Sequence, residues 1–428
     1  MIAGVLFSSL TLLIFIGVPI SFSIAIASLA ATYSAHLTPI IVAQKMVAGL
    51  DSFPLMAIPF FLLAAELMTG GSLAEVLLRF ASLFVGHKRG GLGYTNILTI
   101  TFFSGISGSA VADAAGPGAL LIRMMSKSGY PPAYAAALTA AASLTGPIIP
   151  PSILMILYAL SVENVSVARL FIGGVVPGIM IAVALLGYNM YASHKRNFRV
   201  EGSFPPWPQV AQVTWRAIPA LVLPALIVGG VHTGIFTPTE ASVIAVFYAL
   251  FCGMIIYRTL TWSMIPDILA RSAFMSVSAL LIISTTTAFA WLLTYAQTPQ
   301  ILTEWIGSLN LSPVGFLVAI NIFLLVFGIF IEPLPAILVL APILAPMATA
   351  LHIDPTQFAI VVIVNLNIGM ITPPVGSLLA VTSLVAKVRM SELNREIYPM
   401  LATQIVVLGL ITFFPAFILW LPDLLGTK

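Results

Sequence analysis

The sequence GPIIPP at Gly146–Pro151 returns as GMITPP at Gly369–Pro374, an offset of 223 residues (369 − 146). The same offset places Gly105-Ile106 on Gly328-Ile329, Pro132 on Pro355 and Ala136 on Ala359 without a gap. Identities at one fixed shift over such a long span indicate an internal duplication. Each copy puts a Gly/Pro break inside an otherwise apolar segment. In membrane proteins, paired breaks in corresponding halves point to a binding site.

The composition excludes an ordinary soluble domain. Hydrophobic residues make up 60% and charged residues 7% of the 428 residues, and the mean hydropathy is +1.10, whereas soluble domains carry about 25% charged residues. Many apolar runs reach the roughly 20 residues that cross a bilayer. The first run, residues 2–31, is too long for a signal-peptide core and lacks a basic start, so we expect a retained membrane segment. The sequence predicts an all-α polytopic membrane protein.

Other functional classes lack their sequence signatures. The net charge of +3 is spread over loops, which gives no case for a nucleic-acid partner. The lone Cys252 excludes an internal disulfide and argues against a thiolate metal site. Neither GxxxxGK[ST] nor HExxH occurs, so the chain itself carries no sign of ATP-driven transport or zinc hydrolysis. Clustered histidines or paired intramembrane carboxylates, which a membrane enzyme would need, are also missing, so we expect no catalytic residues and no enzyme.

The apolar segments divide the chain into two halves joined by a polar linker. The linker, Ser193–Gln209, carries His194, basic residues and three prolines. We therefore expect residues 1–200 and 201–428 to be two repeats within one integral membrane domain. The apolar segments cover residues 2–33, 54–70, 90–127, 133–160, 170–193, 216–231, 237–257, 272–296, 312–350, 356–386 and 397–421.

Two of these segments, 90–127 and 312–350, are too long for one span and break in the middle. The breaks are GISGSAVAD at Gly105–Asp113 and GIFIEPLPA at Gly328–Ala336. Each segment is either two full spans or one re-entrant hairpin. Basic residues flank residues 90–127 at both ends, and because Lys and Arg favour the cytoplasmic side, a hairpin that enters and leaves on one side is favoured. The segments 133–160 and 356–386 that follow are predicted to be broken helices.

The distribution of basic residues predicts that the two repeats have opposite orientation. Counting crossings onward from the first hairpin, all of the 17 Lys and Arg residues except Lys45, Arg169 and Lys428 lie inside. An odd number of crossings then separates the two hairpins, which is the inverted repeat of many secondary transporters. The number of spans in residues 2–33 is not decided: they form either one span kinked at Gly17-Pro19 or two short spans. The side of the membrane on which the N-terminus lies is therefore not predicted.

The first hairpin tip is rich in small residues and hydroxyls: Ser104, Gly105, Ser107, Gly108 and Ser109. Backbone at membrane depth must be satisfied by protein, water or ligand. Free carbonyls and serine hydroxyls are neutral oxygen ligands, which suit a dehydrated Na⁺. The alternative is that small residues only allow close helix packing.

The repeated breaks also leave polar groups without helical partners. Prolines interrupt the helix and cannot donate hydrogen bonds, so carbonyls near Thr145 and Gly146 should be free. In the second copy Asn365, Asn367 and Thr372 supply oxygens. Half-helix termini at the midplane would favour an anionic substrate at their N-terminal ends and cations at exposed carbonyls. A single Pro-Pro kink is more often structural, but two at equivalent positions favour function.

Intramembrane carboxylates are costly and point to function. Asp113 follows Ser109 by one helical turn and is either functional or part of a structural ion pair or cap. Glu332 occupies the second hairpin tip, with hydrogen bonding to free backbone amides as its structural alternative. Glu240 completes a capping box after Thr237 and is interpreted as structural. Together, the candidates for substrate contact or gating are Asp113, Pro150, Pro151, Ser152, Glu332, Asn365, Asn367, Pro373 and Pro374.

Two amphipathic stretches, Leu73–Gly86 and Pro299–Ser308, each precede a hairpin. Such helices lie flat in the membrane interface. They are either arms that link a moving hairpin domain to a fixed scaffold, as in an elevator transporter, or ordinary loop helices.

Four stretches together resemble one known family: GISGSAVADAAGPGALLI, GYPPAYAAALTAAASLTGPIIPPS, GIFTPTEAS and NLNIGMITPPVG. In this order they resemble the large permease subunit (DctM-type) of tripartite ATP-independent periplasmic (TRAP) transporters, over essentially the whole chain. The resemblance implies an Na⁺-driven elevator that imports organic acids across the inner (cytoplasmic) membrane of a prokaryote. It also implies two partners, a periplasmic substrate-binding protein (DctP-type) and a small membrane subunit (DctQ-type), the latter expected as a separate chain.

Carried onto this sequence, the resemblance places Na⁺ ligands at the hairpin tips and helix breaks. The implied ligands are Ser104, Gly105, Ser107, Ser109, Thr145 and Gly146 in the first copy and Gly328, Gly369, Met370 and Thr372 in the second. Na⁺ is the only cofactor expected, as the coupling ion. The alternative is a self-sufficient Na⁺/dicarboxylate symporter with the same hairpins and no binding protein. The sequence does not identify the organic acid.

Overall fold

The computed structural model describes residues 2–70, 73–198, 200, 204–298, 300–301, 304 and 312–426. Within this part of the chain the regular structure is helical. The first half contains α1 Ile2–Phe15, α2 Ile20–Ser34, α3 Ile40–Ala48, α4 Ala57–Gly70, α5 Leu73–Val85, α6 Gly91–Ser107, α7 Ala110–Ala115, α8 Pro117–Lys127, α9 Pro132–Ser143, α10 Ile153–Ser161 and α11 Val167–Lys195. The second half contains α12 Trp207–His232, α13 Pro238–Phe251, α14 Ile265–Tyr295, α15 Pro313–Phe330, α16 Pro333–Ala350, α17 Pro355–Gly369, α18 Ser377–Ala386, α19 Met390–Phe413 and α20 Ala416–Leu424.

Eight of the described helical segments are long and apolar enough to cross a membrane. Several shorter apolar helices, among them α1, α2, α17 and α18, supplement them. The prediction of an all-helical polytopic fold with hairpins and broken helices is therefore confirmed.

Local sequence signals fix several helix starts. Thr237 and Glu240 form the predicted capping box of α13, in which each side chain bonds the other residue's backbone N–H. Ser312 caps α15 by accepting from the Gly315 N–H. Asp354 caps α17. In each case a proline occupies the first helical position, where no N–H is needed.

The helices of the hairpins and breaks begin at nearly equivalent positions in the two copies. Helix α9 starts at Pro132 and α17 at Pro355, which differ by the offset of 223 residues between the repeated motifs. The first hairpin turns at Gly108-Ser109 and the second at Ile331-Glu332. In both copies a helix follows the hairpin, is interrupted at the Pro-Pro pair, and resumes as a shorter helix. The opposite membrane orientation of the copies stays a prediction.

Two segments differ in detail from the sequence-based expectation, and in a third the structure decides between two alternatives. Residues 397–421 form two helices, because Pro415 cannot continue the hydrogen bonding of α19. The second arm of the first hairpin breaks again at Gly116, before Pro117. The open question about residues 2–33 resolves into two short helices that pack against each other, separated at Gly17–Pro19, where Gly17 has a φ of +88°.

The helices pack as two groups. The scaffold group comprises α1–α4, α13 and α14; the hairpin group comprises α6–α11 and α15–α20. Helices α5 and α12 lie between them. An apolar cluster joins the groups, with Ile58 and Leu62 from α4, Ile283 from α14, Leu157 from α10 and Leu338 from α16. Apolar contacts of this kind are non-directional, so one side of the cluster can slide over the other without breaking hydrogen bonds within it.

The described ion pairs fall within the groups. Arg271 pairs with Glu66 inside the scaffold group at 3.1 Å. In the hairpin group Arg196 at the end of α11 forms two hydrogen bonds with Glu396 of α19, at 3.1 and 2.6 Å. Each group is therefore reinforced internally. Of the two predicted arms, Leu73–Gly86 is the helix α5, whereas most of Pro299–Ser308 lies outside the described residues.

Candidate ion and substrate site

The turn of the first hairpin presses against the first Pro-Pro break. Gly108 ends α6 with a φ of +62°, a conformation that favours glycine. A Cβ at this position would lie 2.5 Å from the carbonyl oxygen of Pro151. The next residue, Ser109, caps α7 by accepting from the Ala112 N–H at 3.4 Å. The hairpin tip and the break thus form one tightly packed unit.

Asp113 is the centre of this unit. Its side chain is fully buried and accepts hydrogen bonds from the hydroxyls of Ser107 and Ser104, the latter at 2.8 Å. The Ser104 hydroxyl also lies 2.8 Å from that of Thr145 in the break. A Cβ on Gly146 would lie 2.6 Å from the Asp113 carboxylate. Both arms of the hairpin and the broken helix therefore converge on one carboxylate.

In the part of the chain that the structure describes, no cationic side chain pairs with this carboxylate. Burying an unpaired charge costs several kcal/mol, and two hydroxyl donors compensate only part of that cost. Carboxylate, hydroxyl and carbonyl oxygens are the ligands that hard cations prefer. The arrangement is chemically suited to hold a small hard cation.

Other first-copy candidates have identifiable structural contacts. Gly105 faces α12, where a Cβ would lie 3.0 Å from the Cγ of Pro224, so this glycine allows close packing. Ser152 caps α10 by accepting from the Met155 N–H at 3.2 Å, and its hydroxyl donates to the Pro147 carbonyl. That carbonyl is therefore already engaged. The expectation of a free carbonyl at Thr145 is wrong, because this carbonyl accepts from the Ile148 and Ile149 N–H groups at 3.1 and 2.8 Å.

The prolines of the two breaks differ in their surroundings. Pro150 and Pro151 are buried, whereas Pro373 is half-buried and Pro374 is exposed. The first break is thus enclosed by the hairpin group, and the second lies nearer its surface.

The second hairpin meets its broken helix through bare backbone. A Cβ on Gly369 would lie 2.4 Å from the carbonyl carbon and oxygen of Gly328, so only glycine fits at this crossing of α15 and α17. Beyond it, the carbonyl of Met370 accepts from the Leu378 N–H at 3.1 Å. The Thr372 hydroxyl donates to the Ile368 carbonyl at 2.8 Å, which leaves its oxygen lone pairs available.

Buried asparagines line this second crossing. The Asn365 amide donates to the backbone and side-chain oxygens of Asn321 at 3.0 and 2.6 Å, and Asn367 donates to the Ile363 carbonyl at 2.8 Å. The amide oxygens of Asn365 and Asn367 lack a hydrogen-bond partner among the described residues. Sequence reasoning missed Asn321, although a lone amide inside the apolar run of α15 was a usable signal.

One cavity brings both copies together. Its volume is about 290 Å³, and it lies between the two hairpin tips and helices α4 and α14. The lining includes Gly108, Ser109 and Pro147 from the first copy and Glu332, Asn367 and Met370 from the second. The scaffold contributes apolar residues such as Ile58, Leu62 and Phe274. Sequence reasoning missed these because apolar residues are unremarkable in membrane helices.

Glu332 faces this cavity without a capping role. It occupies the N-cap position of α16, but its side chain makes no cap hydrogen bond. The two prolines at Pro333 and Pro335 reduce the N–H groups available in the first turn. The structural alternative considered for Glu332, bonding to free amides of the following helix, therefore does not apply.

The structure thus gathers the candidates into three places. Ser104, Ser107, Asp113, Thr145 and Gly146 surround the buried carboxylate. Gly328, Asn365, Gly369 and Thr372 lie at or beside the α15–α17 crossing. Ser109, Glu332, Asn367 and Met370 reach the cavity between them.

Comparison with known proteins identifies the family. Residues 7–417 match the model of the DctM component of the tripartite ATP-independent periplasmic transporter. The chain is 38% identical over 413 residues to the sialic acid TRAP transporter large permease protein SiaM of Vibrio cholerae, which covers 96% of both chains. It is 37% identical over 443 residues to the C4-dicarboxylate TRAP transporter large permease protein DctM of Rhodobacter capsulatus, over 100% of both.

Two further likenesses concern chain organisation and fold. The isethionate TRAP transporter permease protein DctMQ of Oleidesulfovibrio alaskensis is 37% identical over 96% of this chain but only 65% of its own length. The crystal structure of the Alcanivorax borkumensis YdaH transporter, at 15% identity, superposes with a TM-score of 0.62 over 87% of this chain and 88% of that one. This second likeness concerns the fold alone. On its nearly full-length matches, the chain belongs to the DctM family, the large permease component of tripartite ATP-independent periplasmic transporters.

Proposed function

We propose that this permease imports an organic acid by coupling its movement to Na⁺. Organic acid uptake follows from family membership, and the relatives named above carry sialic acid and C4-dicarboxylates in their names. Na⁺ coupling is supported by the oxygen-rich surroundings of Asp113 and by the second set of oxygens around Gly328, Gly369 and Thr372. The choice of organic acid lies with the binding protein that delivers it.

The observation that carries this proposal is the buried carboxylate of Asp113 next to the cavity. Ser109 lines the cavity and caps α7, the short helix on which Asp113 lies. A cation bound between Ser104, Ser107 and Asp113 would hold the hairpin tip against the Thr145–Gly146 break. Cation binding therefore supports the cavity wall that contacts the substrate, which makes each ligand stabilise the binding of the other.

The same architecture supports an elevator movement. The hairpin group carries both sets of oxygens, and it contacts the scaffold group through the apolar cluster around Leu62 and Leu338. Helix α5 lies between α4 of the scaffold and α6 of the first hairpin, so it is suited to act as the linking arm. We include in the proposal the inverted orientation of residues 1–200 and 201–428.

We further propose the complete assembly in the inner membrane. It would comprise this chain, a DctQ-type small membrane subunit encoded as a separate chain, and a DctP-type periplasmic binding protein. This chain covers 65% of the length of the protein DctMQ, so that single polypeptide is long enough to contain a further component.

Uptake into proteoliposomes tests the proposal. The permease and small subunit are reconstituted, and radiolabelled organic acid is supplied with or without its binding protein, under an inward Na⁺ or choline gradient. We expect uptake only with both Na⁺ and binding protein and without ATP. Uptake that persists under choline would overturn Na⁺ coupling. Uptake without the binding protein would instead favour the self-sufficient symporter.

A further inference from the structure

A second cavity, of about 800 Å³, lies between α5 and α12, away from the hairpin tips. Its lining is more polar than that of the central cavity and combines charged, amide and aromatic side chains. The lining includes Glu75 and Arg79 from α5, and Gln212, Trp215 and Arg216 from α12, with Tyr257 beside them. The family relationship and the proposed transport mechanism assign no role to this cavity.

The cavity exists because α5 is amphipathic. Leu77 and Phe80 are buried on one face of the helix, and Phe80 and Leu83 pack against Ala217 of α12. The opposite face carries Glu75 and Arg79, both exposed. The apolar contact therefore closes one side of the cavity, and the charged face of α5 opens into it.

Two guanidinium groups are available in this cavity. Neither Arg79 nor Arg216 uses its side chain in an ion pair with the residues that the structure describes. Glu75 lines the same cavity and also forms no ion pair with the residues that the structure describes. The planar fork of arginine matches the geometry of phosphate oxygens. A phosphate in this cavity could therefore pair with the guanidinium groups of Arg79 and Arg216, and a hydrogen-bond donor could bind the carboxylate of Glu75.

Exposed tryptophans indicate that the cavity lies at the edge of the bilayer: Trp215 belongs to its lining, and Trp207 and Trp262 lie at the starts of helical segments. Trp207, Trp215 and Trp262 expose 77%, 76% and 78% of their surfaces. Tryptophan concentrates at the headgroup level of membranes, and Arg216 directly follows Trp215. A phospholipid can therefore reach the cavity laterally with its acyl chains still in the membrane.

We propose that this cavity binds a phospholipid headgroup. The phosphate lies between Arg79 and Arg216, and a donor on the headgroup, the ammonium of phosphatidylethanolamine or a hydroxyl of phosphatidylglycerol, faces Glu75. Phosphatidylcholine satisfies the arginines but has no donor for Glu75, so it binds more weakly. The bound lipid joins α5 to α12 and keeps the arm at the level of the headgroups.

Native mass spectrometry of the purified permease tests this site. Phosphatidylethanolamine, phosphatidylglycerol and phosphatidylcholine are titrated in turn against the full-length chain. We expect the first two to be retained about tenfold more than phosphatidylcholine. The double variant Arg79→Gln/Arg216→Gln should lose that retention, while Arg395→Gln, which removes an exposed arginine elsewhere, should keep it.

A second variant and two soluble competitors keep the result interpretable if the double variant folds poorly. The Glu75→Gln variant should still retain lipid, but its preference for phosphatidylethanolamine and phosphatidylglycerol over phosphatidylcholine should become smaller. Equal retention of all three lipids by the unaltered chain, or full retention by the double variant, would overturn the proposal. Displacement of the lipid by millimolar inorganic phosphate or glycerol 3-phosphate would also overturn it, because the site would then take soluble phosphate.

Discussion

Replacing Asp113 by asparagine is the substitution that most sharply separates a cation site from a structural polar cluster. The side chain keeps its size but loses its charge and one of its two acceptor oxygens. The hydroxyls of Ser104 and Ser107 now converge on a carboxylate that is fully buried. After the substitution only one of them can keep an oxygen acceptor on this side chain.

The expected magnitude follows from the lost charge. Opposite unit charges about 4 Å apart attract by about 4 kcal/mol at an effective dielectric constant of about 20. Part of this loss is offset, because the amide oxygen of asparagine can still act as a neutral ligand to Na⁺. We expect a net loss of about 2 kcal/mol in Na⁺ binding, which is roughly 30-fold in affinity. Without Na⁺ the folded variant should be no less stable than the unaltered chain, because it no longer buries an unpaired charge.

Thermal unfolding of the purified permease in NaCl and in choline chloride measures this directly. An ion that binds only the folded state stabilises the protein more as the ion concentration rises, so Na⁺ should stabilise the unaltered chain. In Asp113→Asn that stabilisation should need roughly 30-fold more Na⁺. Asp267→Asn, which changes an exposed carboxylate at the start of α14, serves as the control. Unchanged Na⁺ stabilisation of Asp113→Asn would refute the assignment of this carboxylate.

Two further predictions concern the second hairpin. Gly369→Ala should destabilise the fold by about 1–3 kcal/mol, because its Cβ would lie 2.4 Å from the Gly328 backbone. The control Gly409→Ala, which has no atom within 4 Å of the added Cβ, should not destabilise the fold. Equal melting temperatures for the two variants would contradict the backbone crossing. Thr372→Ala removes a hydroxyl whose one hydrogen bond among the described residues is to the Ile368 carbonyl, so we expect the Na⁺ concentration for half-maximal uptake to rise severalfold while the amount of folded protein in the membrane stays constant. An unchanged Na⁺ requirement would remove Thr372 from the ion site.

The sequence was most informative where a local chemical rule acts on few residues. Pro-Pro pairs and glycines predict breaks and turns, and caps such as Ser312 predict helix starts, because each rule depends only on neighbouring backbone. The hairpins and both broken helices were predicted for this reason. The second break in the first hairpin, at Gly116-Pro117, was within reach of the same rule but was not predicted.

Contacts between distant helices were not accessible in the same way. Nothing local connects Asn321 with Asn365 or places Phe274 of α14 beside the tip of the second hairpin. Those contacts depend on how long helices pack, and apolar residues facing lipid, core or cavity have the same composition. The convergence of Ser104, Ser107 and Asp113 was only partly predictable, since helical spacing puts Asp113 near the tip but does not aim its carboxylate at α6.

The measurement that tests the central claim most directly is the entry of ²²Na⁺ into proteoliposomes that contain the permease and its small subunit. Binding protein loaded with its organic acid is added outside, and the same binding protein without substrate is the control. We predict that only the loaded binding protein triggers ²²Na⁺ entry, in a fixed ratio to organic acid uptake. Accumulation of organic acid without ²²Na⁺ entry would contradict the account.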